Sequence, residues 1–319
     1  MEVSAVSSKF ATSLLAMGRR PAEKPERDWT EYVKANYLDL DPLDQELVAS
    51  YLMAYNTRQN DENKYKIAKE QVIVRIGGLY TRSLQAPAGT RSRITLIAKL
   101  INFQRLVRGS GLPVSKIKPA FEHQTSKHLE KLSSRTLSEI RKGPLEITPE
   151  ELPTEIKNLF SKTEMRKGYS YWQYVKEHAN FIIFAPKLNE IVKTTDEEYK
   201  GTVEELTKTL LIDTFWEKAG MDFKPWMLAA TIIDETAHIE WYYEHSGNIF
   251  LLGDAPNERN SYITKYQFLS KLSKSSREFL DGEDRSLLFS LMNDVAVMIE
   301  KFNNELGYPK LDFEPHPTN

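Results

Sequence analysis

The sequence predicts an all-α fold with two helical lobes and extended N- and C-terminal arms. Helix-start motifs recur along the chain, apolar residues repeat every three or four positions, and strand signals are scarce. With 319 residues, the chain has room for one large domain or two modest ones. We expect an N-terminal arm, a basic helical lobe, an acidic helical lobe and a C-terminal arm, covering residues 1–27, 28–145, 146–307 and 308–319.

The two arms are predicted from composition. The first twenty residues are rich in Ser and Ala and end in Arg19 and Arg20, and Pro21 and Pro25 separate them from the next helix. We therefore expect a mobile or partner-docking arm at this end. Three prolines in residues 308–319 predict an extended C-terminal arm.

Two features predict helices in the basic lobe. Asp41 followed by Pro42 is typical of an N-cap with proline at the first helical position, and apolar residues continue from there at helical spacing. The run Val72–Ile76 precedes Gly77 and Gly78. It fits either a short hairpin or a buried helix that is interrupted at the glycine pair.

The acidic lobe has two capping-box patterns, Thr148–Glu151 and Thr202–Glu205. The second predicts a helix that continues through Ile212 and ends at Gly220. The stretch Tyr169–Val192 also has helical spacing, and Pro186 predicts a kink or a break within it.

The last two predicted helices have the clearest periodicity. One contains Trp226, Ile233 and Ala237 on one face, and the other extends through Leu287–Ile299 and closes at Gly307. Both predictions rest on apolar residues spaced three or four positions apart.

Charge is distributed unevenly although the whole chain has a net charge of −2. Residues 71–121 contain no Asp or Glu and nine basic residues, whereas residues 196–258 contain fourteen acidic residues and four lysines. An acid-free basic segment attracts polyanions, and arginine makes forked contacts with phosphate. The same cations could alternatively form ion pairs with the acidic residues of 196–258, within one fold or between subunits.

The basic segment predicts sequence-tolerant binding of single-stranded nucleic acid, with RNA as the expected ligand, because aromatic residues there could stack on bases. Attraction between the basic and acidic lobes predicts head-to-tail self-association. Together these features resemble the design of a nucleocapsid or coat-type protein, although no family motif supports that analogy. The predicted nucleic-acid-binding residues are Arg75, Arg82, Arg91, Arg93, Lys99, Arg105, Arg108, Lys116, Lys118, Tyr80 and Phe103.

Glu235 and His238 form the one Glu-x-x-His unit of the chain. Helical di-iron proteins use such units to hold metal, but a ferritin-like site needs two of them and further glutamates. The alternative prediction is an iron-dependent oxidase, ferritin-like or heme-oxygenase-like, with these two residues as ligands. The simpler interpretation is the polar face of an amphipathic helix, with no metal or other cofactor.

Other enzyme classes have little support in the sequence. There is no cysteine, and neither a phosphate-binding loop nor a nucleophile elbow is present. No apolar run is long enough to span a bilayer. We therefore expect a non-catalytic intracellular, cytoplasmic protein without membrane contact, found in a virion if it is viral. A third alternative is a scaffold whose basic face binds an acidic protein.

Overall fold

Several helix-start signals in the sequence coincide with the first residues of helices in the computed structural model of the chain. The structure describes residues 28–36, 40–108, 133–191, 201–214, 224–245, 255–275, 280, 282–311 and 313. The chain separates into two compact units. The first comprises residues 1–128, 187–199 and 245–253, and the second comprises residues 129–186, 200–244 and 254–319.

Four helices form the main described part of the first unit. They are α1 (Trp29–Asn36), α2 (Pro42–Asn56), α3 (Glu62–Gln85) and α4 (Arg91–Arg108). Helix α2 begins with Pro42 after Asp41, as the sequence predicts. The Asp61 side chain caps α3 by accepting a hydrogen bond from the Lys64 amide at 2.9 Å, which satisfies one free N–H of the first turn.

Helix α3 is continuous through the glycine pair, so the hairpin prediction for Val72–Ile76 was wrong. The alternative prediction was right about a buried helix and wrong about its interruption at Gly77 and Gly78. Val72, Ile76 and Leu79 are spaced four and three residues apart and all three are fully or almost fully buried. Burial of this stripe outweighs the cost of about 1 kcal/mol that each helical glycine carries.

The second unit combines helices with two small sheets. Its elements are α5 (Leu137–Lys142), β1 (Leu145–Ile147), a 3₁₀ turn (Pro149–Glu151), α6 (Thr154–Lys162), β2 (Glu164–Arg166), β3 (Tyr169–Ser170), α7 (Tyr171–His178), β4 (Phe181–Ala185), β5 (Gly201–Glu204), β6 (Thr209–Asp213), α9 (Pro225–Glu244), α10 (Ala255–Ser275) and α11 (Gly282–Leu306). A short helix between β4 and β5, α8 (Leu188–Ile191), belongs to the first unit. The mainly helical character is confirmed, but the fold is not strictly all-α.

The larger sheet has the strand order β1-β4-β6-β5. Strands β4 and β6 are parallel, with Ile182 opposite Leu210 and Phe184 opposite Ile212, and the two outer pairs are antiparallel. Nearly every residue of β4 and β6 is buried. Strands covered on both faces lack the alternation of apolar and polar residues that identifies a strand in a sequence.

This sheet corrects two predicted helices. Within the stretch Tyr169–Val192, the chain forms β3, α7, β4 and the short α8, and Pro186 lies between β4 and α8. Val192 lies outside the described residues. The apparent capping box Thr202–Glu205 lies in β5 and its turn, and Ile212 lies in β6. The predicted end of that helix at Gly220 lies outside the described residues. A short local motif was outweighed here by pairing between distant strands.

Other local signals are confirmed. The Thr148–Glu151 motif forms a capping box on the 3₁₀ turn, where the Thr148 amide donates to Glu151 Oε2 at 3.0 Å. The predicted helices after residue 225 and residue 282 are α9 and α11. Gly307 ends α11 with a φ of +70°, a conformation that glycine adopts without strain.

Helix α9 lies at the centre of the second unit. It contacts α6, α7, α10, β5 and β6, and most of its residues are buried. After α11, Leu311 and Phe313 pack against the same core, and the Phe313 ring lies 4.7 Å from that of Tyr266. This part of the predicted C-terminal arm is therefore held on the second unit, while the N-terminal arm lies outside the described residues.

None of the helices in the described ranges combines the length and the apolarity needed to cross a membrane.

Candidate functional site

Arg75, a predicted phosphate ligand, is engaged within the first unit. Its Nε and Nη2 donate to the two carboxylate oxygens of Asp44 at 2.5 and 2.7 Å. Asp44 is buried. Its burial raises the pKa of this carboxyl, while the hydrogen bonds from Arg75 act in the opposite direction. Arg75 thus compensates a buried carboxylate, a task that competes with binding an external phosphate.

Lys99 and Arg93 also have internal partners. Lys99 Nζ lies 3.1 Å from Asp41 Oδ2. Arg93 is only 4% exposed, and its Nη1 donates to the carbonyl oxygens of Ser83 at 3.1 Å and Ala86 at 3.4 Å. The guanidinium therefore binds backbone acceptors at the C-terminal end of α3, where carbonyl groups lack helical partners.

The remaining predicted binding residues differ in position. Phe103 is fully buried, so its ring presents no open face for the predicted stacking on a base. Tyr80 is partly buried, whereas Arg82 and Arg91 are exposed. Arg105 and Arg108 belong to α4 but their side chains are outside the description, and Lys116 and Lys118 lie outside the described residues altogether.

The acid-free segment is therefore partly neutralised by acids that precede it. Asp41 and Asp44 lie at the start of α2, 58 and 31 residues before the cations that they bind. Internal pairing was one alternative from the sequence, but its partners were expected in residues 196–258. Asp41 and Asp44 lie outside residues 71–121, so a count of charges within that segment does not reveal them. Only the packing of the helices brings these acids close to the cations.

A second feature of the first unit is an open groove between α2 and α3, here called the α2–α3 groove. Its volume is about 590 Å³. Three of its aliphatic side chains are strongly exposed: Leu43 by 79%, Val74 by 74% and Ile67 by 59%. The residues that line the groove are Leu43, Glu46, Leu47, Ser50, Ile67, Glu70, Gln71 and Val74.

Both helices of the groove have apolar residues on two sides. Tyr51 and Leu52 of α2 and Val72 of α3 are in the core, whereas Leu43 and Val74 face the groove. The spacing of apolar residues in the sequence places Leu43 and Tyr51 in one helical stripe. It does not show that one of them is exposed and the other buried. One sequence signal could have identified the groove. Apolar residues cover more of the surface of α2 and α3 than a single buried face requires.

The Glu-x-x-His unit lies on α9, in the second unit. Glu235 is 8% exposed, and burial raises its pKa to about 8. His238 Nδ1 donates to Asn257 Oδ1 at 3.0 Å. Burial lowers the pKa of His238, but the negative charge of Glu258, followed by that of Glu235, more than compensates, so the net pKa is raised.

Asp234, Glu235 and His238, here called the α9 cluster, lie where α9 packs against α10 and form polar contacts with it. Asp234 Oδ2 lies 2.8 Å from Lys265 Nζ. On the other side, a Cβ atom at Gly201 would lie 2.8 Å from Glu235 Cγ, so the strand and the carboxyl side chain approach closely because residue 201 is glycine. Among the described residues, no three carboxylate or imidazole groups are arranged to hold a metal ion.

Comparisons of the chain with protein-family models, curated proteins and solved structures found no match.

Proposed function

We propose that this chain is a non-catalytic interaction protein that binds a basic amphipathic helix in the α2–α3 groove. The observation that carries this proposal is the exposure of Leu43, Ile67 and Val74 along one groove. Single exposed aliphatic residues are common on protein surfaces, but three that line the same groove offer a partner more apolar surface than isolated residues do. A groove between two packed helices can accept the apolar face of a third helix.

The charges of the groove favour a basic partner. Glu46 and Glu70 are exposed and line the groove beside its aliphatic residues. A partner helix with an apolar stripe flanked by Lys or Arg would bury the aliphatic side chains and place its cations near these carboxylates. Such charges increase the association rate and disfavour acidic partners, while apolar burial supplies most of the affinity.

The test uses a synthetic 18-residue peptide with Leu at helical spacing and Lys on both flanks, labelled with a fluorophore. Binding to the full chain is measured by fluorescence anisotropy. We expect Val74→Asp to weaken binding at least tenfold, because it places a charge in the groove. The matched control is Val297→Asp in α11, since Val297 is 64% exposed and lies in the other unit.

A peptide in which every Lys is replaced by Glu tests the charge argument. We expect it to bind at least tenfold more weakly than the Lys peptide, with a difference that shrinks as salt screens the charges. Equal binding of the Lys peptide by V74D, V297D and the unaltered chain would contradict the proposal, as would the absence of binding by the unaltered chain.

Nucleic-acid binding is a second candidate function, and the exposed side chains of Arg82 and Arg91 favour it. They lie near the end of α3 and at the start of α4, and among the described residues neither has an ion-pair partner. We expect R82E/R91E to weaken binding of a labelled oligouridylate at least tenfold and to flatten its salt dependence. The control K34E/K66E reverses two other exposed charges of the same unit. Equal binding by both double variants would refute this candidate.

A further inference from the structure

We propose that the occupant of the α2–α3 groove is the N-terminal segment of this same polypeptide, residues 3–20. The inference rests on the proposed function, because it names the partner of that groove. The chain would then supply both the groove and the segment that fills it, either within one molecule or between two copies.

The sequence of the segment matches what the groove requires. Val6, Phe10, Leu14 and Met17 are spaced four, four and three residues apart, the spacing that forms one apolar stripe if the segment becomes helical. An aromatic and three aliphatic or thioether side chains provide the large apolar contact area that anchors a helix in a groove.

Its charge also complements the groove. Residues 3–20 contain Lys9, Arg19 and Arg20 and no acidic residue, whereas the groove carries Glu46 and Glu70. The segment therefore has the basic amphipathic character that the groove favours, and it combines both properties in one uninterrupted stretch.

Two other segments outside the described residues fit less well. Residues 109–132 contain Pro113 and Pro119, which break a continuous helical stripe. Residues 246–254 contain apolar residues and an aspartate but no Lys or Arg. Charge and continuity thus both favour the N-terminal segment.

A disulfide-trapping experiment tests the contact in the full chain. The protein contains no cysteine, so introduced thiols react without a natural background. We would introduce Ser13→Cys beside Leu14, and Ser50→Cys, which lines the groove. A disulfide requires Cα atoms within about 7 Å, so its rapid formation reports proximity.

We expect S13C/S50C to cross-link under mild oxidant at least ten times faster than the control S13C/S92C. Ser92 is an exposed residue at the start of α4 in the same unit. Adding Val74→Asp should reduce the rate to that of the control. Covalent dimers on a non-reducing gel would show docking between copies, and a shifted monomer would show docking within one chain; either result supports the proposal.

Three outcomes would overturn the proposal. These are equal cross-linking in S13C/S50C and S13C/S92C, cross-linking that V74D does not affect, and rapid dimerisation of S50C alone, which would indicate that two grooves pack on each other. If the Lys peptide binds but S13C/S50C shows no enrichment, the groove binds another partner and the proposed function stands. If neither is observed, both proposals fail.

Discussion

Replacing Glu235 with glutamine should change how the stability of the protein depends on pH. Glutamine has nearly the same shape as a protonated glutamate, so the substitution removes the titration of the group while preserving its packing. Glu235 is 8% exposed in the contact between α9, α10 and β5, and its burial disfavours the ionised form.

The sign and size of the change in the free energy of unfolding with pH follow from the pKa of Glu235 in the unfolded and in the folded protein. The ordinary pKa of a glutamate side chain is 4.5, and burial raises that of Glu235 to about 8 in the folded protein, so the folded state binds more protons between these values. The free energy of unfolding should therefore fall as pH rises through this window, by at most about 1.4 kcal/mol per pH unit and about 4–5 kcal/mol in total. The raised pKa of His238 acts in the same direction above pH 6.5.

The assay is urea denaturation of the full chain at one-unit steps from pH 5 to pH 9, followed by circular dichroism. Relative to the unaltered protein, E235Q should gain stability steadily from pH 5 to pH 8, until the difference between them has shifted by several kcal/mol. Glu244→Gln is the control, because it makes the same chemical change at an exposed position near the end of α9.

A difference between E235Q and the unaltered protein that stays constant across this range would refute the reasoning. It would mean that Glu235 ionises at its ordinary pH and that water or a rearrangement of α9 solvates the charge. A gain of the same size in E244Q would also refute it, since the effect would then arise from the net charge of the protein.

Three further predictions use the same denaturation assay near neutral pH. Arg75→Gln should cost about 2–3 kcal/mol, because it leaves a buried carboxylate without its cation, whereas the exposed Arg82→Gln should change stability by less than about 0.5 kcal/mol. Phe103→Ala should cost about 3–5 kcal/mol through loss of core volume; a value below about 1 kcal/mol would contradict its burial. Gly201→Ala should lower the free energy of unfolding by about 1–3 kcal/mol, because the added methyl group meets the Glu235 side chain. The double variant with Glu235→Ala should lose at least about 0.5 kcal/mol less than the sum of the two single losses.

The helices could be predicted where the signal was local. Asp41 and Pro42 mark the start of α2, and the apolar stripe beginning at Trp226 marks α9, because capping and periodicity act over one or a few helical turns. The sheet could not be predicted in the same way. Strands β4 and β6 pair across about 28 residues of sequence, and their complete burial removes the pattern that would have identified them.

The candidate sites show the same limit. The cationic residues were recognisable as a group, but the sequence did not show that Arg75 is bound to Asp44 in α2 and Lys99 to Asp41 just before it. Leu43 and Tyr51 share one periodic pattern, yet Leu43 is 79% exposed and Tyr51 is buried. Which face of a helix is covered depends on its neighbours, and these were not predictable from local spacing.

Local sequence signals were enough to predict the mainly helical character and the positions of several helix ends, and residues 3–20 are visibly basic and free of acidic residues. Only the folded chain shows which cations are neutralised, which aliphatic side chains remain in an open groove, and that Glu235 is buried beside Gly201. The physical reason is distance along the chain. Capping and periodicity are local, whereas ion pairing, burial and desolvation depend on residues that only folding brings together.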